Sequence, residues 1–324
     1  MRLHPRQALF SSEAPARRLP VVDHYSGVEK LMRKSLALQA ALGPIFDVTL
    51  DCEDGAAVGA EQDHVQLVAE LLADKDNRHG RVGVRVHPVD HPAFEKELAT
   101  LAAGLTAPAY LMLPKVESAA QLERGAAAVR AAFVSAPPLQ ALIETHGGLR
   151  DVERIAAHPD IESISFGLMD FVSAHQGAIP RSAMTVDGQF SHPLVLRAKL
   201  AISAAALGHG KVPSHCVVTE LKDKRRLQIA AERACRELGY LRMWSIHPDQ
   251  IEPLVEAFAP STAEVDEAIE ILQAAQDADW APIRHRDHLH DRASYRLFWS
   301  LLERAEATGQ ILPIEVHQRF FGSN

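Results

Sequence analysis

At 324 residues the chain is too long for a small stapled module and suits one large α/β domain with an added tail. Apolar content of 47% and charged content of 23% describe a globular protein with a sizeable core, and a net charge of −8 argues against a nucleic-acid partner, which would need a basic face. The start, Met1-Arg2-Leu3-His4-Pro5, lacks the apolar run of a signal peptide, no stretch nears the ~20 apolar residues of a membrane span, and Cys52, Cys216 and Cys235 form no CxxC pair. The expectation is a soluble cytoplasmic protein without a membrane partner, its thiols buried in a reducing compartment.

The first 30 residues offer one short strand, at 8–10 or at 21–22. Clearer strands follow at 46–50, 82–87, 110–114, 139–143, 161–166, 216–218 and 243–246. Amphipathic helical runs lie between them at 64–73, 119–133, 149–157, 193–207 and 224–238. Strands alternating with helices in this way build a parallel sheet buried on both faces. Seven units and an eighth near the start favour a closed (β/α)8 TIM barrel over an open doubly wound sheet. No Gly-x-Gly-x-x-Gly follows any strand, which removes the main dinucleotide-binding reading. Past 246 the pattern becomes helical, at 250–258, 263–278 and 293–307, with Pro253, Pro260 and Pro282 at the joints. The expected organisation is a barrel catalytic domain over 1–258 and a strandless helical appendage over 259–324.

In such a barrel the chemistry sits at the C-terminal ends of the strands. The exits here carry Asp51, Glu53 and Asp54; then Arg85 and His87; then Lys115 and Glu117; then Glu144, Asp170, His215 with Glu220, and His247. Glu144 and Asp170 each end an apolar run beside glycine. A carboxylate there is a poor core residue and a good oxygen ligand for a hard cation, so the pair reads as a Mg²⁺ site. The rim as a whole reads as an acidic pocket with a few fixed cations, suited to Mg²⁺ and an anionic substrate.

Each residue also has a plainer reading. Asp51, Glu53 and Asp54 are placed to cap the following helix. Arg85, in mid-strand, must find a carboxylate or phosphate, and a salt bridge to a strand-exit acid would satisfy it. Lys115 fits a rim salt bridge equally well. His247-Pro248-Asp249 fits a turn into the next helix better than a catalytic role. His285, His288 and His290, interleaved with Asp287 and Asp291, fit a solvated charged turn better than zinc.

Six segments then stand in one order. They are Leu50-Asp51-Cys52-Glu53-Asp54-Gly55-Ala56, Val84-Arg85-Val86-His87-Pro88, Leu113-Pro114-Lys115-Val116-Glu117-Ser118, Leu142-Ile143-Glu144-Thr145, Phe166-Gly167-Leu168-Met169-Asp170 and Trp244-Ser245-Ile246-His247-Pro248-Asp249-Gln250. Together they resemble the citrate lyase β-subunit-like, malyl-CoA/citramalyl-CoA lyase-like branch of the HpcH/HpaI aldolase superfamily, over roughly residues 46–258. The resemblance implies a homo-oligomeric (β/α)8 barrel, a trimer or hexamer, with Mg²⁺ on Glu144 and Asp170. It implies cleavage or formation of a carbon–carbon bond between a 2-oxo acid and the enolate of a CoA thioester. Arg85 takes the position of the substrate-binding arginine, Glu53 and Asp54 those of acids in the same pocket, and Lys115 is assigned to substrate. Asp291, before the last helix, is the nearest match to an aspartate that a neighbouring subunit lays over the site as general acid/base.

The expected activity is therefore Mg²⁺-dependent lysis of a malyl-, citramalyl- or citryl-CoA type substrate. The alternatives are a free-acid 4-hydroxy-2-oxo acid aldolase, an acyl-CoA thioesterase and a non-catalytic scaffold. Three departures from the family pattern stand out. The opening Arg-Ser-x-Leu-x-x-Pro-Gly type segment is absent, with Pro20-Val-Val-Asp-His-Tyr-Ser-Gly27 in this region; His87 replaces an asparagine; and the loop 171–193 carries Arg181 and His192.

Overall fold

The computed structural model describes residues 3–10, 18–55, 57–221 and 223–322. Eight strands run Val22–Ser26 (β1), Phe46–Asp51 (β2), Val82–Arg85 (β3), Leu111–Leu113 (β4), Leu139–Ile143 (β5), Ile161–Phe166 (β6), Val212–His215 (β7) and Arg242–Ser245 (β8). Each pairs in parallel with the next, and β1 closes on β8 with Val22 opposite Met243. The expected (β/α)8 barrel is the observed fold. Its first strand takes the second of the two expected positions, because residues 8–10 belong to the helix Pro5–Phe10.

Alternation along β2 shows why the barrel closes around polar groups. Phe46, Val48 and Leu50 alternate with Asp47, Thr49 and Asp51, and all six are buried. Arg242 of β8 donates to Asp47 of β2 at 2.8 Å, past the intervening β1, and the Tyr110 hydroxyl donates to Asp23 at 3.1 Å. Contacts between non-neighbouring strands are made inside the barrel, so the odd positions of β2 point inward. Burial lifts the Asp47 carboxyl to about 6 against the pull of Arg242 and Arg81.

The surrounding helices follow from local signals. Lys224–Leu238 starts where the Asp223 side chain accepts the Arg226 N–H and stops at Gly239, whose φ of 73° is left-handed. It buries Leu227, Ala230, Ala231, Ala234 and Leu238, a helical stripe. The helix Pro193–Gly208 is less ordinary, because its Lys199 is fully buried. The Lys199 ammonium donates to Gln189 Oε1 at 3.1 Å and lies 4.2 Å above the Phe190 ring centroid. Burial lowers this amine from 10.5 to about 8.

That shift has a sign. Between pH 8 and 10.5 the unfolded chain binds more protons at Lys199 than the fold does, so this group adds stability as pH rises. Lys199→Met is therefore expected to stabilise the protein at pH 7, by about 1–3 kcal/mol. The advantage should shrink to about 0.4 kcal/mol by pH 10.5, where Lys199 is neutral in the fold and half-protonated in the unfolded chain. Urea unfolding at the two pH values checks it, and a destabilised variant at pH 7 would refute the argument.

Three features differ from the sequence-based expectation. The seventh strand lies at Val212–His215, four residues before the apolar run at 216–218, with Pro213 inside it. Helices at Glu29–Leu42, Phe94–Ala103 and Ile314–Phe320 add to those expected. The tail, expected to be strandless, contains an antiparallel hairpin, Ile283–His285 (β9) with His288–His290 (β10). Its two loop residues, Arg286 and Asp287, have φ of 46° and 65°. Such a turn usually announces itself with Asn-Gly or Asp-Gly, and here the positive-φ positions carry Arg and Asp instead.

The described residues fall into two compact units, one within 17–257 and one combining 258–322 with 3–10. In the second, the helices Thr262–Asp277 and Arg292–Ala307 pack around Ile271, Leu272, Trp299 and Leu302, with Leu9 of the N-terminal helix among them. Among the described residues no helix is long and apolar enough to cross a membrane.

Candidate active site

β2 ends in Asp51, and the chain turns at once through Cys52-Glu53-Asp54-Gly55. The Asp51 carboxylate makes that turn by accepting the N–H groups of Glu53 at 3.1 Å and Asp54 at 3.0 Å. Gly55 is required there: a Cβ would sit 2.2 Å from the Asp51 carbonyl oxygen and 2.4 Å from that of Gly27.

The same carboxylate holds Arg85, the last residue of β3, with two parallel bonds of 2.6 Å from Nε and 2.9 Å from Nη2. It also accepts the Tyr25 hydroxyl of β1 at 2.6 Å. Burial acts to raise the Asp51 carboxyl, but the bonds and charge of Arg85, aided by Tyr25, outweigh it and hold it below its ordinary value. The remaining edges of the Arg85 guanidinium meet Glu53 Oε2 at 2.9 Å from Nη1 and Asp54 Oδ2 at 2.8 Å from Nη2. Its carbon lies 5.2 Å from the Tyr25 ring centroid, and Tyr25 stacks on Trp244 of β8 at 6.1 Å and 15°. Trp244 packs with Met112 and Leu142, an apolar floor between the charged exits.

Lys115 follows β4 and Pro114, with φ of 51° in the left-handed region. That backbone aims its N–H at Glu144 Oε1 at 2.8 Å, while Nζ lies 2.5 Å from Glu53 Oε1 and 3.9 Å from Asp170 Oδ1. Glu144, directly after β5, is only 2% exposed. Asp170 lies in the first turn of the helix Leu168–Ser173 after β6, its side chain 48% exposed. Gly167 between them makes room: a Cβ there would lie 2.2 Å from Glu144 Oε2. Burial, reinforced by the charges of Asp170 and Glu53, pushes the Glu144 carboxyl up to about 8.

Glu53, Asp54, Arg85, Lys115, Glu144 and Asp170 thus join one chain of contacts on the C-terminal rim. The salt bridges expected as plainer roles for Arg85 and Lys115 are present, inside this rim. Asp291 belongs to the second compact unit, where its side chain caps the helix Arg292–Ala307 by accepting the Ala293 N–H at 3.0 Å. His247 holds its turn, accepting the Asp249 N–H at 3.2 Å. His87 faces Glu97, which takes both its backbone N–H and its Nδ1. Arg181 is exposed in the 3-10 helix Arg181–Met184, and His192 stands just before the helix Pro193–Gly208.

Tyr25 is the participant that sequence reasoning passed over. Its signal was the alternation of β1, where Asp23 and Tyr25 share a face as Asp47, Thr49 and Asp51 do in β2.

The donor set suits a hard divalent cation. Two carboxylates on neighbouring exits, one of them crowded by like charge and seated in the space left by Gly167, favour a bound positive ion. Among the described residues no group of three or more His, Cys, Asp or Glu forms a ready-made metal set. Glu144 and Asp170 would thus leave further positions to water and substrate oxygens.

A family model described as HpcH/HpaI aldolase/citrate lyase matches residues 31–248. The L-malyl-CoA/β-methylmalyl-CoA lyase of Cereibacter sphaeroides is 31% identical over 248 residues, covering 71% of this chain and 77% of that protein. Among solved structures, a citrate lyase from Burkholderia xenovorans LB400 is 53% identical with a TM-score of 0.86, covering 98% of this chain and all of that one (100%). The citrate lyase beta subunit of Mycobacterium tuberculosis, solved with oxaloacetate and magnesium, is 26% identical with a TM-score of 0.62 and covers 76% of this chain and 100% of that one. With its barrel, its rim of strand-exit acids and these likenesses, the chain belongs to the HpcH/HpaI aldolase/citrate lyase family and is a carbon–carbon lyase.

Proposed function

We propose that the protein is a Mg²⁺-dependent lyase that cleaves a 3-hydroxyacyl-CoA of the malyl-, citramalyl- or citryl-CoA type into a 2-oxo acid and an acyl-CoA. One observation carries the reading: the carboxylates Glu144 and Asp170 and the cations Arg85 and Lys115 converge on one rim over an apolar floor. The likeness to the Cereibacter malyl-CoA lyase supports the CoA ester, and the magnesium in the Mycobacterium structure supports the metal.

The residues divide the work as follows. Arg85 and Lys115 present positive charge to the substrate carboxylate and to the enolate oxygen that gains charge as the bond breaks. Asp51 and Tyr25 hold the guanidinium in place before substrate arrives. Glu53 is the candidate base for the substrate hydroxyl proton, because burial outweighs its two cationic neighbours and raises its affinity for a proton. Asp54, at the exposed end of the Arg85 network, is the group a substrate carboxylate would displace. Asp291 of a neighbouring subunit in a homo-oligomer is the candidate acid for the enolate carbon. Held by Glu144 and Asp170, Mg²⁺ would supply Lewis-acid polarisation of the substrate oxygens.

The test is incubation of the full chain with Mg²⁺ and each thioester, following 2-oxo acid and free thiol separately. Release of oxo acid without free thiol supports the lyase. Free thiol without oxo acid would replace it with thioester hydrolysis, and turnover of a free 4-hydroxy-2-oxo acid alone with a CoA-independent aldolase. No turnover of any of them would overturn the reading in favour of a non-catalytic role.

A further inference from the structure

Among the described residues, five carboxylates of the rim, those of Asp51, Glu53, Asp54, Glu144 and Asp170, share one contact network with the cations Arg85 and Lys115. Arg85 is committed to Asp51 by two short bonds and is buried, its side chain 7% exposed. Lys115 is different. Its ammonium bonds Glu53, faces Asp170 at 3.9 Å, and is 39% exposed on the side chain. Its left-handed backbone fixes the N–H on Glu144 and at the same time sends the side chain over the acids.

We propose that Lys115 is the internal counter-cation of this carboxylate group: in the metal-free protein its ammonium pairs with Glu53 and faces Asp170, one of the two acids that would hold a divalent ion, and metal entry releases it toward substrate. The inference rests on the reading of Glu144 and Asp170 as metal ligands. It gives one residue two successive partners. The flexible, half-exposed stem lets the ammonium leave the acids, whereas the forked and buried Arg85 stays. Lys115 is here a positioning residue for the metal and a binding residue for the substrate carboxylate.

The two roles separate in metal binding, measured without turnover. Full-length Lys115→Met is compared with wild type by titration with Mn²⁺, followed by electron paramagnetic resonance, and by thermal unfolding in EDTA and in saturating Mg²⁺. The expected result is Mn²⁺ binding about three- to tenfold tighter, since a competing charge a few ångströms away is gone. The thermal midpoint in EDTA should fall below wild type, and saturating Mg²⁺ should close the gap. Equal or weaker Mn²⁺ binding, or a gap unchanged by Mg²⁺, would overturn the proposal and leave Lys115 a fixed partner of Glu53. Lys115→Gly, which relaxes the positive φ, provides the same comparison should the methionine variant not fold. Glu144→Gln in the wild-type background tests the underlying reading by itself: undiminished Mn²⁺ binding there would remove the metal site, whatever Lys115 does.

Discussion

Arg85→Met is expected to lower kcat/KM by about 10³-fold or more and to destabilise the protein by about 3–5 kcal/mol. The two losses have different origins. On the proposed reading, activity falls because a preorganised positive charge disappears from the point where the enolate oxygen would gain charge. Stability falls because Asp51, fully buried beneath it, loses the two bonds that offset its desolvation. Tyr25 and the backbone N–H groups of Glu53 and Asp54 remain, so Asp51 keeps part of its compensation. The double variant Asp51→Asn with Arg85→Met removes both charges together, and should recover most of the stability and none of the activity. Arg85→Lys keeps the charge without the fork that fits Asp51 and should fall between wild type and methionine on both scales. Urea unfolding in EDTA gives the first quantity, and steady-state kinetics on the thioester the second. Arg85→Met activity within tenfold of wild type would remove Arg85 from the chemistry and leave it a structural ion pair.

The barrel could be read from the chain because buried parallel strands are short segments rich in apolar residues: 139–143 is broken only by Gln140, and 161–166 keeps Ile161, Ile164 and Phe166. The seventh strand was displaced because Val212-Pro-Ser-His215 has neither an apolar run nor a free amide at Pro213, while Cys216-Val-Val218 next to it has both. The rim residues were readable for a related reason: an ionisable group ending an apolar strand has few structural uses. What the chain did not disclose is their pairing. That Asp51 rather than Glu53 takes Arg85 in a fork depends on the β2–β3 register, which sets Asp51 opposite Arg85. The contribution of Tyr25 depends on barrel closure, which brings β1 between β2 and β8. Both follow from long-range pairing, which a local pattern does not encode. The tail hairpin was hidden differently, by Arg286 at a positive-φ position usually held by Asn, Asp or Gly and Asp287 at the next, usually held by Gly.

Glu144→Gln should change how the metal-free protein responds to pH more than any other single substitution on the rim. The wild-type carboxyl binds its proton with a value near 8 in the fold and near 4.5 in the unfolded chain. A raised value means the fold gains stability from the protonated form. That gain is complete below pH 4.5 and is lost as pH rises through 8, because the unfolded chain gives up its proton first. The interval corresponds to roughly 4–5 kcal/mol through this one group, as an upper bound for a site that can admit water. In EDTA, wild type should therefore lose stability steadily from pH 5 to pH 8, and Glu144→Gln should lose much less. Glutamine keeps an oxygen for the Lys115 N–H, so the β4–β5 rim stays tied together. Mg²⁺ should reverse the order. On the proposed reading a divalent ion would replace the proton as the group that neutralises Glu144, so at pH 8 it should stabilise wild type strongly and the glutamine variant hardly at all. Full activity in a Glu144→Ala protein, or equal Mg²⁺ stabilisation of wild type and Glu144→Gln, would contradict the assignment. Parallel pH profiles of wild type and variant in EDTA would instead show that Glu144 is solvated in the metal-free protein. The crowding of Glu53, Glu144 and Asp170 would then no longer explain why this rim favours a cation.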